Sequence, residues 1–414
     1  MKPEVNLYVS AVFPDGQIIP VGRLLSRNLT RPAAYEGFFK YSPAYLAHPL
    51  AYPIDPVHLP LAETIFEAGN RETGIHAVFD DSLPDAWGRH ILARKGGLEQ
   101  TRYAPAHLLG VLQGAGLGRL LFSEREKAPA LQEVSIDFAD ITEAIDEAGQ
   151  LEGSIDIATG DLRHLLACGS SAGGARPKVL TRHGGDFWIA KFASRKDIHP
   201  DLSVALEETG LTLAGMAGLT VPAFKRQSVG GRGVLLVRRF DITQESGRNA
   251  LVSFRTLIGV EDQYSVAYSN LAEMVRRFSF QPQLDLELLY RQMIVNVLLV
   301  NTDDHLQNFA MLHTEQGWCL SPTYDIVPNI YQTEQILLIN GKHTGLRFVD
   351  ILLEGQNFGL SRHRSKQVLL DVLTRISTAW QGVFTACHVP EAHTGRLKTH
   401  IHQGLERMKS DAAT

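Results

Sequence analysis

An apolar run that ends in a cluster of polar side chains is the feature that most constrains the fold of this 414-residue chain. Residues 293–300 read Met-Ile-Val-Asn-Val-Leu-Leu-Val, and residues 301–309 read Asn-Thr-Asp-Asp-His-Leu-Gln-Asn-Phe. The apolar spacing over 285–300 predicts a buried helix. Polar groups that follow such a helix can converge on a cleft while the helix fixes their backbone. The chain is therefore expected to build a polar site at the edge of a core in its second half.

The order of the other patterns divides the chain into a β-rich front and a helical rear. Alternating apolar residues predict a hairpin over 5–22, a second hairpin over 178–192 and a further strand over 233–240. Helical spacing recurs along the chain, at 83–92, at 137–148 with Gly149 as the stop, at 203–217 with Gly218 as the stop, and at 269–278, 285–300, 365–380 and 394–409. The charged stretch 123–129 is predicted to be a linker.

Length and composition indicate two or three packed units in a reducing compartment. The three cysteines lie far apart and form no Cys-x-x-Cys pair, so neither a disulfide framework nor a cysteine-based zinc site is expected. The first residues lack the apolar core of a signal peptide, and no apolar stretch reaches the roughly 20 residues of a membrane span. A cytoplasmic protein is therefore expected. A net charge of −5 gives no general electrostatic attraction to nucleic acid.

Three residues in the second half have the order and spacing of a phosphotransfer site. Asp303 and Asn308 form Asp-x-x-x-x-Asn, and Asp325 follows 17 residues after Asn308. A kinase needs one carboxylate to accept the proton of the attacking hydroxyl, plus an amide and a second carboxylate to hold magnesium ions at the nucleotide phosphates. Taken alone, the Asp-x-x-x-x-Asn spacing is also typical of a solvated turn after a helix.

Upstream segments supply the other parts of a nucleotide site in the same order as in kinases. The small-residue stretch 169–178 would let backbone amides approach phosphates, although it also suits a flexible turn. Lys191 lies inside an apolar strand, where it either contacts phosphates or snorkels from a sheet edge. Glu207 on the next predicted helix is a candidate partner that would fix Lys191, and Glu208 is the alternative register. The consistent order favours a kinase over the separate alternatives.

With these segments in view, the sequence resembles the HipA family of serine/threonine kinases, the toxin components of bacterial type II toxin-antitoxin modules. The resemblance covers nearly the whole chain and is carried by GSSAGGARPKVL, WIAKF, SVALEE, LLVRRFD, NTDDHLQNF, SPTYDIVP and, near the N-terminus, FDDSLPDAWGRHIL. It implies an α+β, two-lobed protein-kinase-like fold. The implied parts are a small β-rich N-terminal subdomain (1–122), a kinase N-lobe with the glycine-rich loop (123–245) and a mainly helical C-lobe (246–414).

The resemblance also implies roles for individual residues. Asp303 would be the catalytic base, and Asn308 and Asp325 would bind Mg²⁺. Lys191 would contact the phosphates of ATP. The adenine hinge would be formed by Val237, Arg238, Arg239 and Phe240. The glycine-rich loop would include Gly173, Gly174 and Ala175. In the family a serine of that loop is autophosphorylated, which ejects the loop and disables ATP binding. That serine aligns with Ser171, or with the adjacent Ser170, and its added charge would repel the nucleotide phosphates.

Two other polar residues lie beside Asp303. His305 is interpreted as a structural residue that holds the loop by hydrogen bonds, with metal ligation as the alternative. Asp304 could alter metal affinity or titrate with a raised pKa beside Asp303, and no role is assigned to it. A metal-dependent hydrolase built on Asp303, Asp304 and His305 is disfavoured, because the sequence offers no further ligand at a suitable spacing.

The favoured hypothesis is an ATP- and magnesium-dependent protein serine kinase that inhibits growth. The resemblance implies a protein target such as an aminoacyl-tRNA synthetase, for example the glutamyl enzyme. It also implies neutralisation by a helix-turn-helix antitoxin similar to HipB, so that contact with DNA would be mainly indirect, and it implies no membrane partner. The alternatives are a small-molecule phosphotransferase, since aminoglycoside and lipid kinases share the Asp-x-x-x-x-Asn spacing, and a catalytically silent kinase-fold binding protein.

Overall fold

The protein folds into two compact units, each built from two stretches of chain. The computed structural model describes residues 4–28, 35–69, 72–98, 103–129, 136–153, 159–167, 177–197, 199–260 and 262–413. The first unit comprises Met1–Pro200 and Arg226–Val252, and the second comprises Asp201–Lys225 and Ser253–Thr414. The chain therefore passes from one unit to the other three times.

A five-stranded sheet opens the first unit, in the spatial order β4-β3-β2-β1-β5. Its strands are β1 (Glu4–Val12), β2 (Ile18–Asn28), β3 (Tyr35–Tyr41), β4 (Phe66–Glu67) and β5 (Leu120–Ser123). The antiparallel pair β1–β2 confirms the first predicted hairpin. Four helices accompany this sheet, namely α1 (Pro43–Leu46), α2 (Ala77–Asp80), α3 (Ala86–Lys95) and α4 (Pro105–Leu112). The helix predicted over 83–92 is thus observed as α3.

A second five-stranded sheet completes the first unit, in the order β6-β7-β8-β10-β9. Its strands are β6 (Ile136–Asp137), β7 (Lys178–His183), β8 (Asp186–Phe192), β9 (Phe224–Val229) and β10 (Arg232–Arg238). The β7–β8 pair confirms the second predicted hairpin. Its two-residue turn consists of Gly184 and Gly185, both with positive φ (63° and 87°), which is the backbone twist that joins tightly paired strands.

One face of the second sheet packs on helix α5 (Ile141–Gly153), near the short helix α6 (Arg163–Ala167). Ile141, Ala144, Ile145 and Ala148 of α5 share one buried cluster with Trp188, Ala190 and Phe192 of β8. The predicted stop at Gly149 is wrong, because α5 continues through Gly153. Its last turn is held by Glu152, which accepts hydrogen bonds from Ser194 Oγ and the Arg195 amide, each at 2.7 Å. Tertiary contacts therefore override the weak helix propensity of the glycine.

The second unit is mainly helical. It contains α7 (Pro200–Met216), α8 (Phe254–Ile258), α9 (Tyr268–Phe278), α10 (Pro282–Leu298), the strands β12 (Ala310–Thr314) and β13 (Gly317–Leu320), then α11 (Phe348–Asn357), α12 (Arg362–Ala386) and α13 (Glu391–Ala413), while β11 (Ala250–Ser253) leads into it. The five predicted helices of this unit are observed, and Gly218 ends α7 at φ +88° as expected. α8, α11 and the β12–β13 hairpin were not predicted.

The sheets of the first unit and the helices of the second confirm the predicted α+β class. The three-domain division after residues 122 and 245 stays a prediction. Within the described ranges no helix combines the length and apolar character needed to cross a membrane.

Replacing Gly149 by alanine tests whether α5 runs through this position. Because alanine is favoured in a helix interior, Gly149→Ala should raise the free energy of unfolding by roughly 0.5–1 kcal/mol in urea titrations followed by circular dichroism. The new methyl group would make only ordinary contacts with the Arg195 side chain, at 3.5 Å. Gly184→Ala is the control, since its methyl group meets open space and therefore makes no clash either, but φ is +63°. It should cost about 1 kcal/mol. Destabilisation by Gly149→Ala would contradict a continuous helix.

Candidate active site

The candidate active site of the second unit begins where α10 ends. Val300 has φ +55°, and the amides of Val300 and Asn301 donate to the carbonyls of Val297 (3.3 Å) and Asn296 (2.9 Å). This is the Schellman arrangement of a helix end, which normally carries glycine in the left-handed position. A β-branched residue there is strained, and such strain is found mostly where the surrounding structure fixes a functional loop.

Residues 303–308 form a compact loop closed by its own side chains. The Asn308 Nδ2 donates to the Asp303 carbonyl at 2.6 Å. His305 caps the short 3-10 turn Leu306–Asn308, because its Nδ1 accepts from the Gln307 amide at 3.2 Å. With Nδ1 as the acceptor, Nε2 of the neutral ring carries the proton, and it lies 3.7 Å from Asp303 Oδ1. His305 thus braces the loop, as the sequence interpretation expected, while the Asp303 side chain is 70% exposed.

Asp304, which received no role from the sequence, is fully buried at 0% exposure. Its Oδ2 accepts from the Tyr268 hydroxyl at 2.9 Å, and its Oδ1 accepts from the Ile336 amide at 2.6 Å. The Tyr268 hydroxyl accepts from Asn296 Nδ2 (2.9 Å), and Asn296 Oδ1 accepts from Asn301 Nδ2 (3.0 Å). These five residues form one buried network that links α9, α10, the loop and the segment around 336.

The side-chain amide of Gln335 completes this network. In the orientation that satisfies its hydrogen bonds, its nitrogen donates to Asp304 Oδ2 and to the Asn301 carbonyl, each at 3.0 Å. Burial raises the pKa of Asp304 to about 6, and the hydrogen bonds from the Ile336 amide and the Tyr268 hydroxyl only partly offset that effect. Because both Asp304 oxygens are engaged inside the protein, a metal-dependent hydrolase that uses Asp304 as a ligand is disfavoured.

The segment that carries Asp325 is hydrogen bonded to residues 302–308 both before and after Asp325 in the sequence. The Tyr324 hydroxyl donates to the Gln307 carbonyl at 2.9 Å. Asn329 Nδ2 donates to Thr302 Oγ1 at 2.7 Å. The structure therefore brings together the two segments that the sequence predicted to share one site.

The backbone at Asp325 is fixed from a second direction by α7. Asp325 is half-buried and has φ +52°, a left-handed conformation that aspartate tolerates better than most residues. A methyl group on Gly210 of α7 would lie 1.8 Å from the Ile326 carbonyl oxygen, so only glycine permits this approach. Glu207 and Glu208 are half-buried on the same helix, one turn before Gly210.

The oxygen atoms of this part of the second unit suit a hard divalent cation. Because the Asn308 nitrogen is used within the loop, Oδ1 is the amide atom suited to bind a metal. The Asp325 carboxylate, on the adjoining segment, would offer a second oxygen ligand. Mg²⁺ prefers oxygen ligands and commonly takes one or two from protein, with water and phosphate as the others. The residues therefore fit the predicted ion.

In the first unit, Lys191 lies on the sheet face opposite the core cluster. Its strand neighbours are Lys178 of β7 and Leu235 of β10. Directly paired residues of antiparallel strands project from the same face, so the two lysines share one face of the sheet. Lys178 is 5% exposed, and its Nζ lies 3.4 Å from Oδ2 of Asp85. Asp85 also caps α3 by accepting from the Gly88 amide. The charge of Lys178 is thus compensated by a carboxylate.

The predicted hinge residues lie at the end of β10 and just beyond it. Arg238 Nη2 donates to Asp186 at 2.7 Å, and the buried Arg239 makes two hydrogen bonds to Asp241, at 3.0 and 2.7 Å. Both guanidinium groups therefore have structural partners. Val237 is buried and Phe240 is half-buried. The Arg239 amide also has a partner within the sheet, because it donates to the Phe187 carbonyl at 2.9 Å.

The predicted phosphate loop and autophosphorylation sites lie outside the described residues. These are Ser170, Ser171, Gly173, Gly174 and Ala175. Their roles remain predictions.

Comparison with known proteins identifies the family. Residues 170–380 match the family model of the HipA-like C-terminal domain, and residues 18–123 match that of the HipA N-terminal domain. The chain belongs to the HipA family. The C-terminal match covers both candidate segments of the second unit and strands β7 to β10 of the sheet that carries Lys191.

One solved structure and one curated protein are also similar to this chain. A solved structure described as the Shewanella oneidensis MR-1 toxin-antitoxin system HipA, HipB and its operator DNA complex matches with a TM-score of 0.72 at 17% identity, over 98% of this chain and 97% of that chain. At this identity the match shows the fold. A protein of Sinorhizobium fredii named "Putative kinase Y4mE" is 28% identical over 130 residues, which are 29% of this chain and 31% of that protein. The alignment thus spans about a third of that relative.

Sequence reasoning missed two groups at these sites. Lys178 follows Pro177 as the first residue of β7, so the local pattern gave little sign that its side chain would be buried. Asp304 was noticed, but its partners Tyr268 and Ile336 lie 36 and 32 residues away in sequence. No local pattern signals such a network.

The raised pKa of Asp304 predicts how stability depends on pH. Because the folded state holds this proton more tightly than the unfolded state, the stabilisation is full below the unfolded value of 3.8 and is lost as pH rises through about 6. Asp304→Asn should therefore gain roughly 2 kcal/mol of unfolding free energy relative to wild type between pH 4 and pH 8. Urea unfolding of both proteins at five pH values measures this difference. A difference that stays constant with pH would contradict the raised pKa.

Proposed function

We propose that this HipA-family protein is a magnesium-dependent serine/threonine-protein kinase that transfers the γ-phosphate of ATP to a hydroxyl of a protein. The proposal rests on two hydrogen bonds that join the Asp325 segment to residues 302–308, from Tyr324 to Gln307 and from Asn329 to Thr302. A kinase requires these three side chains to be held in a fixed relation. The relative named "Putative kinase Y4mE" and the membership of the HipA family support it.

Asp303 is the proposed catalytic base. Its exposed carboxylate can accept a hydrogen bond from an acceptor hydroxyl, and Nε2 of His305 at 3.7 Å can orient it. In phosphoryl transfer the carboxylate orients the attacking oxygen and receives its proton. The fixed loop keeps the Asp303 backbone in place through the Asn308 amide.

Asn308 and Asp325 are the proposed holders of Mg²⁺. When bound, the ion neutralises charge on the transferring phosphates. The left-handed backbone at Asp325, fixed by α7 on one side and by Tyr324 on the other, supports a role that needs an accurately placed carboxylate.

ATP is proposed to be bound through Lys191 at its phosphates, with Glu207 as the partner of the lysine and Glu208 as the alternative. The backbone of residues 237–240 would hydrogen-bond the adenine, and Gly173, Gly174 and Ala175 would contact phosphates. Ser171, or Ser170, would be phosphorylated by the protein itself and so switch off nucleotide binding.

The biological setting is proposed from the family. We infer that the protein is a cytoplasmic toxin neutralised by a helix-turn-helix antitoxin similar to HipB, with operator DNA bound mainly through that partner. The solved HipA, HipB and operator DNA complex supports this arrangement. The protein target is proposed to be a translation enzyme, such as an aminoacyl-tRNA synthetase.

Labelled ATP tests the activity directly. The full chain should incorporate phosphate in the presence of Mg²⁺, and mass spectrometry should locate it at Ser171 or Ser170 and on a protein of a host lysate. Asp303→Ala should lower the rate of self-labelling and the rate of lysate labelling by at least about a thousandfold each, since it removes the carboxylate that orients the acceptor hydroxyl and takes its proton. Glu315→Ala, which changes an exposed carboxylate in the β12–β13 turn, is the matched control and should match wild type. Equal labelling by wild type and Asp303→Ala would refute the mechanism.

Asp325→Asn tests the metal role without disturbing the backbone, because asparagine also tolerates the left-handed conformation. The Mg²⁺ concentration for half-maximal phosphorylation should rise at least about tenfold, since one charged oxygen ligand is lost. The thermal unfolding midpoint without nucleotide should stay close to that of wild type. An unchanged Mg²⁺ requirement in a folded, active variant would remove Asp325 from the metal site.

A further inference from the structure

Two tyrosines of the second unit are unusually exposed for aromatic residues. Tyr331 is 79% exposed and Tyr264 is 64% exposed, the highest values among the large apolar side chains of the described residues. A single exposed aromatic residue needs no explanation. These two differ from an ordinary surface residue in that each is attached to the loop that carries Asp303.

Tyr331 is held through Asn329. The Oδ1 of Asn329 accepts from the amides of Tyr331 (2.7 Å) and Gln332 (3.1 Å), which fixes the backbone of this exposed turn. Its Nδ2 donates to Thr302 Oγ1 at 2.7 Å. The residue before Asp303 in the sequence therefore positions the backbone that presents Tyr331.

Tyr264 is held through its neighbour Gln263. The Oε1 of Gln263 accepts from the Leu306 amide at 2.9 Å, and the Tyr264 amide donates to Asp262 at 3.0 Å within the same turn. The Tyr264 ring also lies edge-on to His343, with centroids 6.3 Å apart. Tyr264 is thus attached at Leu306, three residues after Asp303, while Tyr331 is attached one residue before it.

We propose that Tyr264 and Tyr331 bind the polypeptide that carries the acceptor serine or threonine, and so determine which proteins are phosphorylated. The inference rests on the proposed kinase function and adds the recognition of its acceptor. An acceptor hydroxyl must reach the Asp303 carboxylate, so the chain on either side of it passes over the surface around this loop. Tyrosines attached at Thr302 and Leu306 are suited to contact that chain.

The chemistry of tyrosine suits a polypeptide partner. Each ring offers a large apolar surface for side chains of the acceptor, and its hydroxyl can hydrogen-bond peptide groups. A tyrosine has only two side-chain torsions, and here the backbone is already fixed by Asn329 and Gln263. Little conformational entropy is therefore lost on binding. A small-molecule acceptor would need no such pair of exposed rings outside the loop.

The test compares how fast the purified full chain labels itself and how fast it labels proteins of a host lysate, with labelled ATP and Mg²⁺. Tyr264→Ala and Tyr331→Ala should each lower the ratio of lysate labelling to self-labelling at least about fivefold, and the double variant should lower it further. The KM for ATP should stay within about twofold of wild type, because the substitutions address the acceptor. Phosphopeptide sequencing should show a weaker preference for residues beside the labelled serines.

Two controls separate recognition from a structural effect. Tyr264→Phe and Tyr331→Phe keep the rings and should retain most of the lysate labelling. Phe280→Ala removes an aromatic side chain of the same unit that is 41% exposed, and it should leave the ratio unchanged.

If both tyrosine-to-alanine variants keep the wild-type ratio of lysate labelling to self-labelling, the inference is wrong but the kinase function stands. The same holds if the wild type labels itself but no lysate protein. A wild type that incorporates no phosphate at all contradicts the proposed function itself.

Discussion

The buried carboxylate of Asp304 is the constraint on which the arrangement of the second unit depends. It has no access to water, so its oxygens must be satisfied by the protein, and the donors come from α9 and from residues 335 and 336. Moving any of these elements would leave a buried charge without its hydrogen bonds, at a cost of several kcal/mol. The same carboxylate therefore fixes the exposed Asp303 beside it, because consecutive residues share one backbone.

Two residues near the proposed site have a left-handed backbone conformation. Val300 and Asp325 both have positive φ, and neither is a glycine. Each such position costs on the order of 1 kcal/mol or more, and it persists only where neighbours over-determine the backbone. At Val300 the neighbours are the helix-end hydrogen bonds, and at Asp325 they are Tyr324 and the close approach of α7. Two of the four non-glycine residues with positive φ in the described part of the second unit thus lie at the segments that carry the proposed chemistry, and the other two are Asn340 and His388.

Local sequence patterns predicted the elements better than their ends or their long-range partners. The β1–β2 and β7–β8 hairpins followed from periodicity, the shared neighbourhood of the Asp303 and Asp325 segments followed from motif spacing, and the α+β class followed from the family resemblance. The end of α5 did not, because contacts of Glu152 with residues 194 and 195 extend the helix past Gly149. The end of α10 was placed two residues late, since a valine occupies the position that glycine usually marks. The role of Asp304 depends on partners more than 30 residues away, and the glycine-rich loop remains a prediction from sequence.

The second unit is built from two separate stretches of chain, so its elements are not synthesised consecutively. Helix α7, with Glu207, is made before β9 and β10, yet it belongs to the unit whose other helices are made last. Its C-terminal end is held by Arg291 of α10 and Arg375 of α12, through the carbonyls of Ala217 and Met216. A ribosome must therefore translate well past residue 375 before α7 has its packing partners. The helix that carries Glu207, and Gly210 against which the Asp325 segment packs, is therefore completed only after both stretches of its unit have been synthesised.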